Sequence, residues 1–173
     1  MIRIGLLSDT HGYINPRLFS FFERVDEIWH AGDFGSITVA DTLAAFKPLR
    51  GVCGNVDGQE VRTVYPLHQR FMCEETDVWI THIGGYPGKY ERYVMPDIFE
   101  KPPNLFISGH SHILKVIYDK NLNFLHMNPG AAGYNGFHKV CTATRFTIDG
   151  KDIRELEIWE IERNKTIPSE MYP

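Results

Sequence analysis

The sequence predicts an α/β domain in which two mixed β-sheets pack face to face with helices outside. Three observations carry this reading. Apolar runs and amphipathic segments alternate as β-α-β-α-β near the N-terminus, which implies parallel strands joined by right-handed crossovers. Short clusters of Asp, His and Asn follow these apolar runs, and the C-terminal ends of strands are where ligands bind in open α/β sheets. Towards the C-terminus the pattern changes to strand–turn–strand, which adds antiparallel strands.

In chain order, Ile2 to Leu7 is an apolar strand running into Ser8-Asp9-Thr10-His11-Gly12. Asn15 with Pro16 behind it starts a helix that turns Leu18, Phe19 and Phe22 inward. A strand from Glu27 to His30 leads into Ala31-Gly32-Asp33. Ser36 caps a second helix with Val39, Leu43 and Phe46 on one face, and Pro48 stops it. Leu49 to Val52 is a short strand before Gly54-Asn55-Val56-Asp57-Gly58. Val78 to Thr81 is a strand ending at His82, followed by a Gly/Pro/Tyr-rich stretch and a helix near Tyr90 to Phe99 that Pro102-Pro103 ends. Leu105 to Ile107 is a strand ending in Ser108-Gly109-His110-Ser111-His112. Ile113–Tyr118 and Asn123–Met127 flank one hairpin turn; Cys141–Ile148 and Ile153–Trp159 flank another at Asp149-Gly150. The expected domain is 1–162, with 163–173 a polar C-terminal tail.

Composition narrows the function classes. A chain of 173 residues, 43% hydrophobic and 23% charged, suits one globular domain able to bury a core without disulfides. No apolar run reaches the roughly 18 residues of a membrane span, and no signal-peptide pattern precedes the first strand, so a cytoplasmic location without membrane association is expected. Cys53, Cys73 and Cys141 lack zinc-knuckle spacing and read as reduced, buried thiols. A net charge of −4 gives no general attraction for long nucleic acid. The distinctive feature is eight histidines, five of them in short polar clusters.

Those clusters require a chemical explanation. Carboxylate, imidazole and amide oxygen together suit borderline divalent metals such as Mn, Fe, Ni, Co or Zn. Asp9, His11, Asp33, Asn55, His82, His110 and His112 are too many ligands for one ion with an open position. They suit two ions about 3.5–4 Å apart, a spacing that clamps both oxygens of a displacement at phosphorus. In an extended segment residues i and i+2 point the same way, so Asp9 with His11, and His110 with His112, can converge.

The ordered series S-D-T-H-G, H-A-G-D, G-N-V-D, an isolated His82, G-H-S-H and N-P-G resembles the calcineurin-like metallophosphoesterase superfamily, in particular its small YfcE-type branch, from about Met1 to Ile158. The resemblance implies a four-layer αββα sandwich and a dinuclear phosphodiesterase acting on a small phosphoester. It implies that Asp9, His11 and His112 hold one metal, that Asn55, His82 and His110 hold the other, and that Asp33 bridges them. Manganese is the first expectation, with nickel, iron, cobalt or zinc as alternatives. The nucleophile would be the metal-bridging hydroxide, and Asn55 would also contact the phosphoryl group. Many larger members carry a His directly after G-N as a proton donor; here Val56 stands there. Two other readings stay open at this level. One is a non-catalytic metal-binding scaffold like the retromer subunit of this fold; the other is a nucleotide- or nuclease-type phosphoesterase. A homo-oligomer is compatible with either.

The remaining candidates carry bland readings beside functional ones. His30 reads as a core residue that can orient Asp33; His68 as exposed; His126 as an edge of the pocket; Asp57 as a turn cap. Tyr86, Tyr90 and Tyr93 read either as ordinary packing or as a substrate-facing wall. Trp29, Trp79 and Trp159 read as core, and His138 and Arg145 as possible neighbours of the phosphate.

Overall fold

The computed structural model describes residues 1–163. Four helices and twelve strands follow in the order β1 (Ile2–Leu7), α1 (Arg17–Phe21), β2 (Glu27–His30), α2 (Ile37–Phe46), β3 (Leu49–Gly51), α3 (Gln59–Val64), β4 (His68–Cys73), β5 (Thr76–Thr81), β6 (Gly85–Tyr86), β7 (Lys89–Tyr90), α4 (Met95–Glu100), β8 (Leu105–Ile107), β9 (Leu114–Asp119), β10 (Phe124–Pro129), β11 (Val140–Asp149) and β12 (Asp152–Glu162). One five-stranded sheet has the order β12-β11-β1-β2-β3 and the other β4-β5-β8-β10-β9. Both are mixed. β1, β2 and β3 run parallel, as do β5, β8 and β10, and antiparallel strands complete each sheet.

The two-residue period of a strand explains the layers. Ile4, Leu6, Trp29, Val78, Ile80, Leu105, Ile107, Phe146 and Ile148 meet in a buried core between the sheets. The residues alternating with them face outward. Leu7 and Ile28 pack with Leu18, Phe22, Val39, Leu43 and Val61, beneath α1, α2 and α3. Trp79 and Phe106 pack with Val94 and Ile98 beneath α4. The result is the predicted four-layer αββα arrangement. Burying a large apolar side chain contributes roughly 1.5–3 kcal/mol, and each sheet contributes on both faces.

Several boundaries correct the sequence reading. The Asn15 side chain accepts from the Arg17 amide at 3.0 Å as expected, but regular helix begins only at Arg17. Ser36 caps α2 through the Val39 amide. The helix expected over Tyr90–Phe99 is confined to Met95–Glu100. Tyr90 instead closes a two-stranded ribbon, Gly85–Tyr86 against Lys89–Tyr90, around Pro87-Gly88. Tyr90 is buried with its hydroxyl donating to Asp119 at 2.6 Å, so it packs the core and is no part of a substrate wall. Helix α3 was not anticipated; it is six residues long, too short for an amphipathic period to show. The last hairpin turns one residue later than expected, because Asp149 pairs with Asp152. Arg163, expected to open a loose tail, is tied down: its amide donates to Lys139 O and its guanidinium to the carbonyls of Tyr134 and Gly136. The rest of the expected tail lies outside the described residues. Trp29 and Trp79 are buried, Trp159 is partly so, and all three cysteines are buried and unpaired by disulfides. Among the described residues no helix is long and apolar enough to cross a membrane.

Candidate metal centre

Loops after β1, β2, β3, β5 and β8 meet at one end of the two sheets. The backbone knits them together: Asp9 N donates to Gly32 O at 2.9 Å, His11 N to Asp33 O at 3.1 Å, and Gly109 N to His82 O at 2.9 Å. Five of the seven predicted ligands have left-handed backbone: Asp9 (φ 54°), His11 (47°), Asp33 (57°), His110 (66°) and His112 (58°). Such conformations cost of order 1–3 kcal/mol each outside glycine and gather at functional sites. They also correct the spacing argument. Asp9 with His11, and His110 with His112, sit in left-handed turns and not in extended chain.

The side chains form two groups. Asp9, His11 and His112 present ligand atoms within 4.8 Å of one another, and so do Asp33, His82 and His110. In the first, His112 Nε2 lies 3.1 Å from Asp9 Oδ1 and 3.2 Å from His11 Nε2. In the second, His82 Nε2 lies 3.1 Å from Asp33 Oδ2 and 3.1 Å from Asn55 Oδ1, which brings the amide into the group. Asp33 Oδ2 is also 3.9 Å from His11 Nε2, so this oxygen faces both groups. His110 and His112, though only two residues apart, divide between them.

In the best-defined ligands the outward atom is already committed. Asp9 Oδ2 accepts from Ser8 Oγ at 2.6 Å and from the His110 amide at 3.1 Å. Asp33 Oδ1 accepts from the Val56 amide at 2.9 Å. His82 Nδ1 faces the Ala31 carbonyl at 2.8 Å, and a carbonyl only accepts, so Nδ1 carries the proton and Nε2 keeps its lone pair. What remains pointing inward is lone pairs. Asp9 Oδ1 is fully buried and receives no hydrogen bond. Burial of an unpaired carboxylate oxygen among lone pairs is costly unless a cation satisfies it, so the mixed N/O donor set fits divalent metal ions. Burial opposes ionisation of Asp9 and Asp33, yet neighbouring imidazoles, the Ser8 hydroxyl and the Val56 amide hold both below the usual carboxylate range. Burial lowers the pKa of His82 and the two carboxylates outweigh it, so His82 is raised.

The surroundings refine the other expectations. Asp57 is a clamp, not a ligand: Oδ2 accepts from Gly54 N at 2.7 Å and Oδ1 from Gly35 N at 2.8 Å. Arg62, which no motif flagged, donates to the carbonyls of Gly54 (2.6 Å) and Asp57 (2.6 Å) and so holds the Asn55 loop from beneath. His30 does not touch the Asp33 carboxylate. Its Nδ1 accepts from Gly32 N at 3.1 Å, its Nε2 meets Thr10 Oγ1 at 2.9 Å, and it stacks on Phe34. Burial pushes His30 down to about 3. Arg145 is not near the site; it pairs with Glu157 on the far side of the first sheet. His68 is exposed.

Two clefts open from the second group and share Ile83. The first, about 350 Å³, is lined by Asn55, Leu67, His68, His82 and Tyr93 and is largely apolar. The second, about 240 Å³, is lined by Tyr86, Lys89, His110, Lys115 and His126, with the Lys115 ammonium 3.5 Å from the Tyr86 ring centre. Tyr86 and Tyr93 therefore face different clefts. His126 lines the second as expected, buried and bonded to Ser108 at 3.1 Å.

Comparison with known proteins gives the family and the fold. Residues 2–151 match the calcineurin-like phosphoesterase superfamily domain. A probable metallophosphoesterase of Methanothermobacter thermautotrophicus is 30% identical over 135 residues, covering 74% of this chain and 76% of that protein. Vps29 from Entamoeba histolytica, solved as a single-site variant, superposes with a TM-score of 0.73 at 13% identity, covering 94% of this chain and 100% of that one. A structure described as a novel archaeal phosphodiesterase superposes with a TM-score of 0.65 at 21% identity, covering 93% and 99%.

Proposed function

Because this chain belongs to the calcineurin-like phosphoesterase superfamily, we propose that it is a dinuclear metal-dependent phosphodiesterase acting on a small substrate. The observation that carries the proposal is the position of Asp33 Oδ2, which faces His82 at 3.1 Å in one ligand group and His11 at 3.9 Å in the other. Asp9, His11 and His112 would hold the first ion, Asn55, His82 and His110 the second, and Asp33 would serve both, with manganese the first choice of metal. When bound, such a pair of divalent ions supplies an activated water and neutralises charge at phosphorus.

The chain's own part is positional. Ser8, Val56 N and Ala31 O hold the outward atoms of Asp9, Asp33 and His82, which fixes the direction of their inward atoms. Two clefts meeting at the second group suit a phosphodiester, which has two arms to place, better than a monoester, which has one. The apolar cleft beside Asn55 suits a flat organic leaving group. Val56 offers no proton there, so activated diesters are the favoured substrates. The archaeal phosphodiesterase likeness points the same way. The Vps29 likeness fits the scaffold alternative but does not favour it over the enzyme reading.

Hydrolysis of bis-p-nitrophenyl phosphate with added manganese tests this. Asp33→Ala is expected to lower kcat/KM by at least about 10³-fold, as loss of several kcal/mol of charge stabilisation requires. Equal rates for the variant and the unaltered protein would sink the proposal.

A further inference from the structure

The loop between β10 and β11 reaches across the first ligand group. Its Gly133 amide donates to Asp9 O at 3.0 Å, and its carbonyls at Tyr134 and Gly136 are held by Arg163. Within it, His138 Nε2 lies 2.9 Å from Gly133 O, and His138 Nδ1 lies 3.2 Å from His112 Nδ1. A carbonyl only accepts, so Nε2 of His138 bears the proton. A neutral imidazole has one N–H, so its Nδ1 presents a lone pair. The partner atom, Nδ1 of His112, must then donate. That leaves the lone pair of His112 on Nε2, the atom that faces Asp9 and His11.

We propose that His138 is a positioning residue for the first metal: through a Gly133 carbonyl–His138–His112 relay it fixes the tautomer and ring orientation of His112 so that Nε2 is the metal-binding atom. The inference rests on His112 being a ligand, as proposed above. A second observation shows that the relay is built in. A Cβ placed on Gly136 (φ 127°) would lie 2.4 Å from His112 Nδ1 and 3.1 Å from His138 Nδ1. The backbone of Gly136 thus closes over the bond between the two rings, where a larger residue would force them apart. Cys141 completes the enclosure, its thiol donating to the same Gly133 carbonyl at 3.1 Å. Nothing in the motif order marks His138; only the loop's return brings it to His112, 26 residues earlier in the chain.

The test uses zinc alone, which is diamagnetic and needs no turnover. Calorimetric titration of the full chain is expected to show two sites. His138→Ala is expected to weaken one of them 10–100-fold, the usual cost of losing an outer partner of a ligating histidine, and to leave the other within about twofold. His138→Gln is expected to restore binding, because an amide can donate to Gly133 O while accepting from His112 Nδ1. In a His112→Ala background the same change is expected to have no further effect. Nitrogen-15 spectra of the zinc-loaded unaltered protein are expected to show His112 protonated at Nδ1, a readout that survives even if a variant fails to fold. Unchanged zinc affinity in His138→Ala overturns the relay while leaving the metal site intact; a His112 proton at Nε2 overturns the relay and removes Nε2 as a ligand atom. An unaltered protein that binds no zinc overturns both.

Discussion

The two ligand groups are built differently although they share Asp33 and lie side by side. The first, Asp9, His11 and His112, is enclosed: Asp9 is wholly buried, both histidines are largely covered, and the β10–β11 loop closes over them. The second is open, with Asn55 and His110 exposed and both clefts leading away from it. Enclosure commits the outward atoms and suits retention of an ion. Openness leaves room for a substrate. The difference points to a division of labour in which one half anchors and the other half meets the phosphoester.

The sharpest way to break that division is Gly54→Ala. A Cβ there would lie 2.0 Å from Asp33 Oδ1 and 2.4 Å from Asp33 N, so Asp33 must shift and the Asn55 loop with it. Activity on bis-p-nitrophenyl phosphate is expected to fall by at least about 10³-fold, with one bound manganese per chain retained by elemental analysis. Loss of both ions would show that the first group does not stand alone. The next effect is a gain. Val56 is 51% exposed, and it anchors Asp33 only through its backbone amide, so its side chain can be exchanged. Val56→His is expected to raise the rate on diesters with alkyl leaving groups by about 10²-fold, the lower end of general-acid contributions, with metal content and p-nitrophenyl turnover nearly unchanged. No gain would mean that the open half lacks more than a proton donor.

The smallest effect belongs to both halves. His30, beneath the first group, and His126, beside the second cleft, are held near 3 and 4 by burial, against an ordinary 6.5. Their folded forms stay neutral while the unfolded chain takes up protons below about pH 6.5. Their contribution is therefore complete above that pH and declines as pH falls towards 4 and then 3. At pH 5 each is expected to cost about 2 kcal/mol relative to pH 7, the raised His82 working in the opposite direction. Urea midpoints at the two pH values check this; equal midpoints would place these rings in wetter surroundings.

Much of this was legible beforehand. The central strands were readable because they are short apolar runs buried on both faces, such as Leu105–Ile107, and the candidate ligands because each follows the end of such a run. The short pieces were not readable. Six residues of α3 carry too little period, and the Tyr90 ribbon depends on Tyr90 bonding to Asp119, 29 residues away. The spacing argument failed for His110 and His112: both sit in left-handed backbone, and their side chains go to different groups. Arg62 left no local signal, and His138 was read only as a neighbour of the phosphate: each acts on a loop it reaches only through the fold. Arg145, by contrast, was read as a neighbour of the phosphate and pairs instead with Glu157.

Five ligand residues in left-handed backbone have a consequence for the history of such a chain. Glycine adopts that conformation more cheaply than aspartate or histidine does. At Asp9, His11, Asp33, His110 and His112, drift and selection for stability therefore push in one direction and metal binding in the other. A descendant released from catalysis would gain robustness by shedding its ligands one at a time, and would keep the sandwich while losing the reaction.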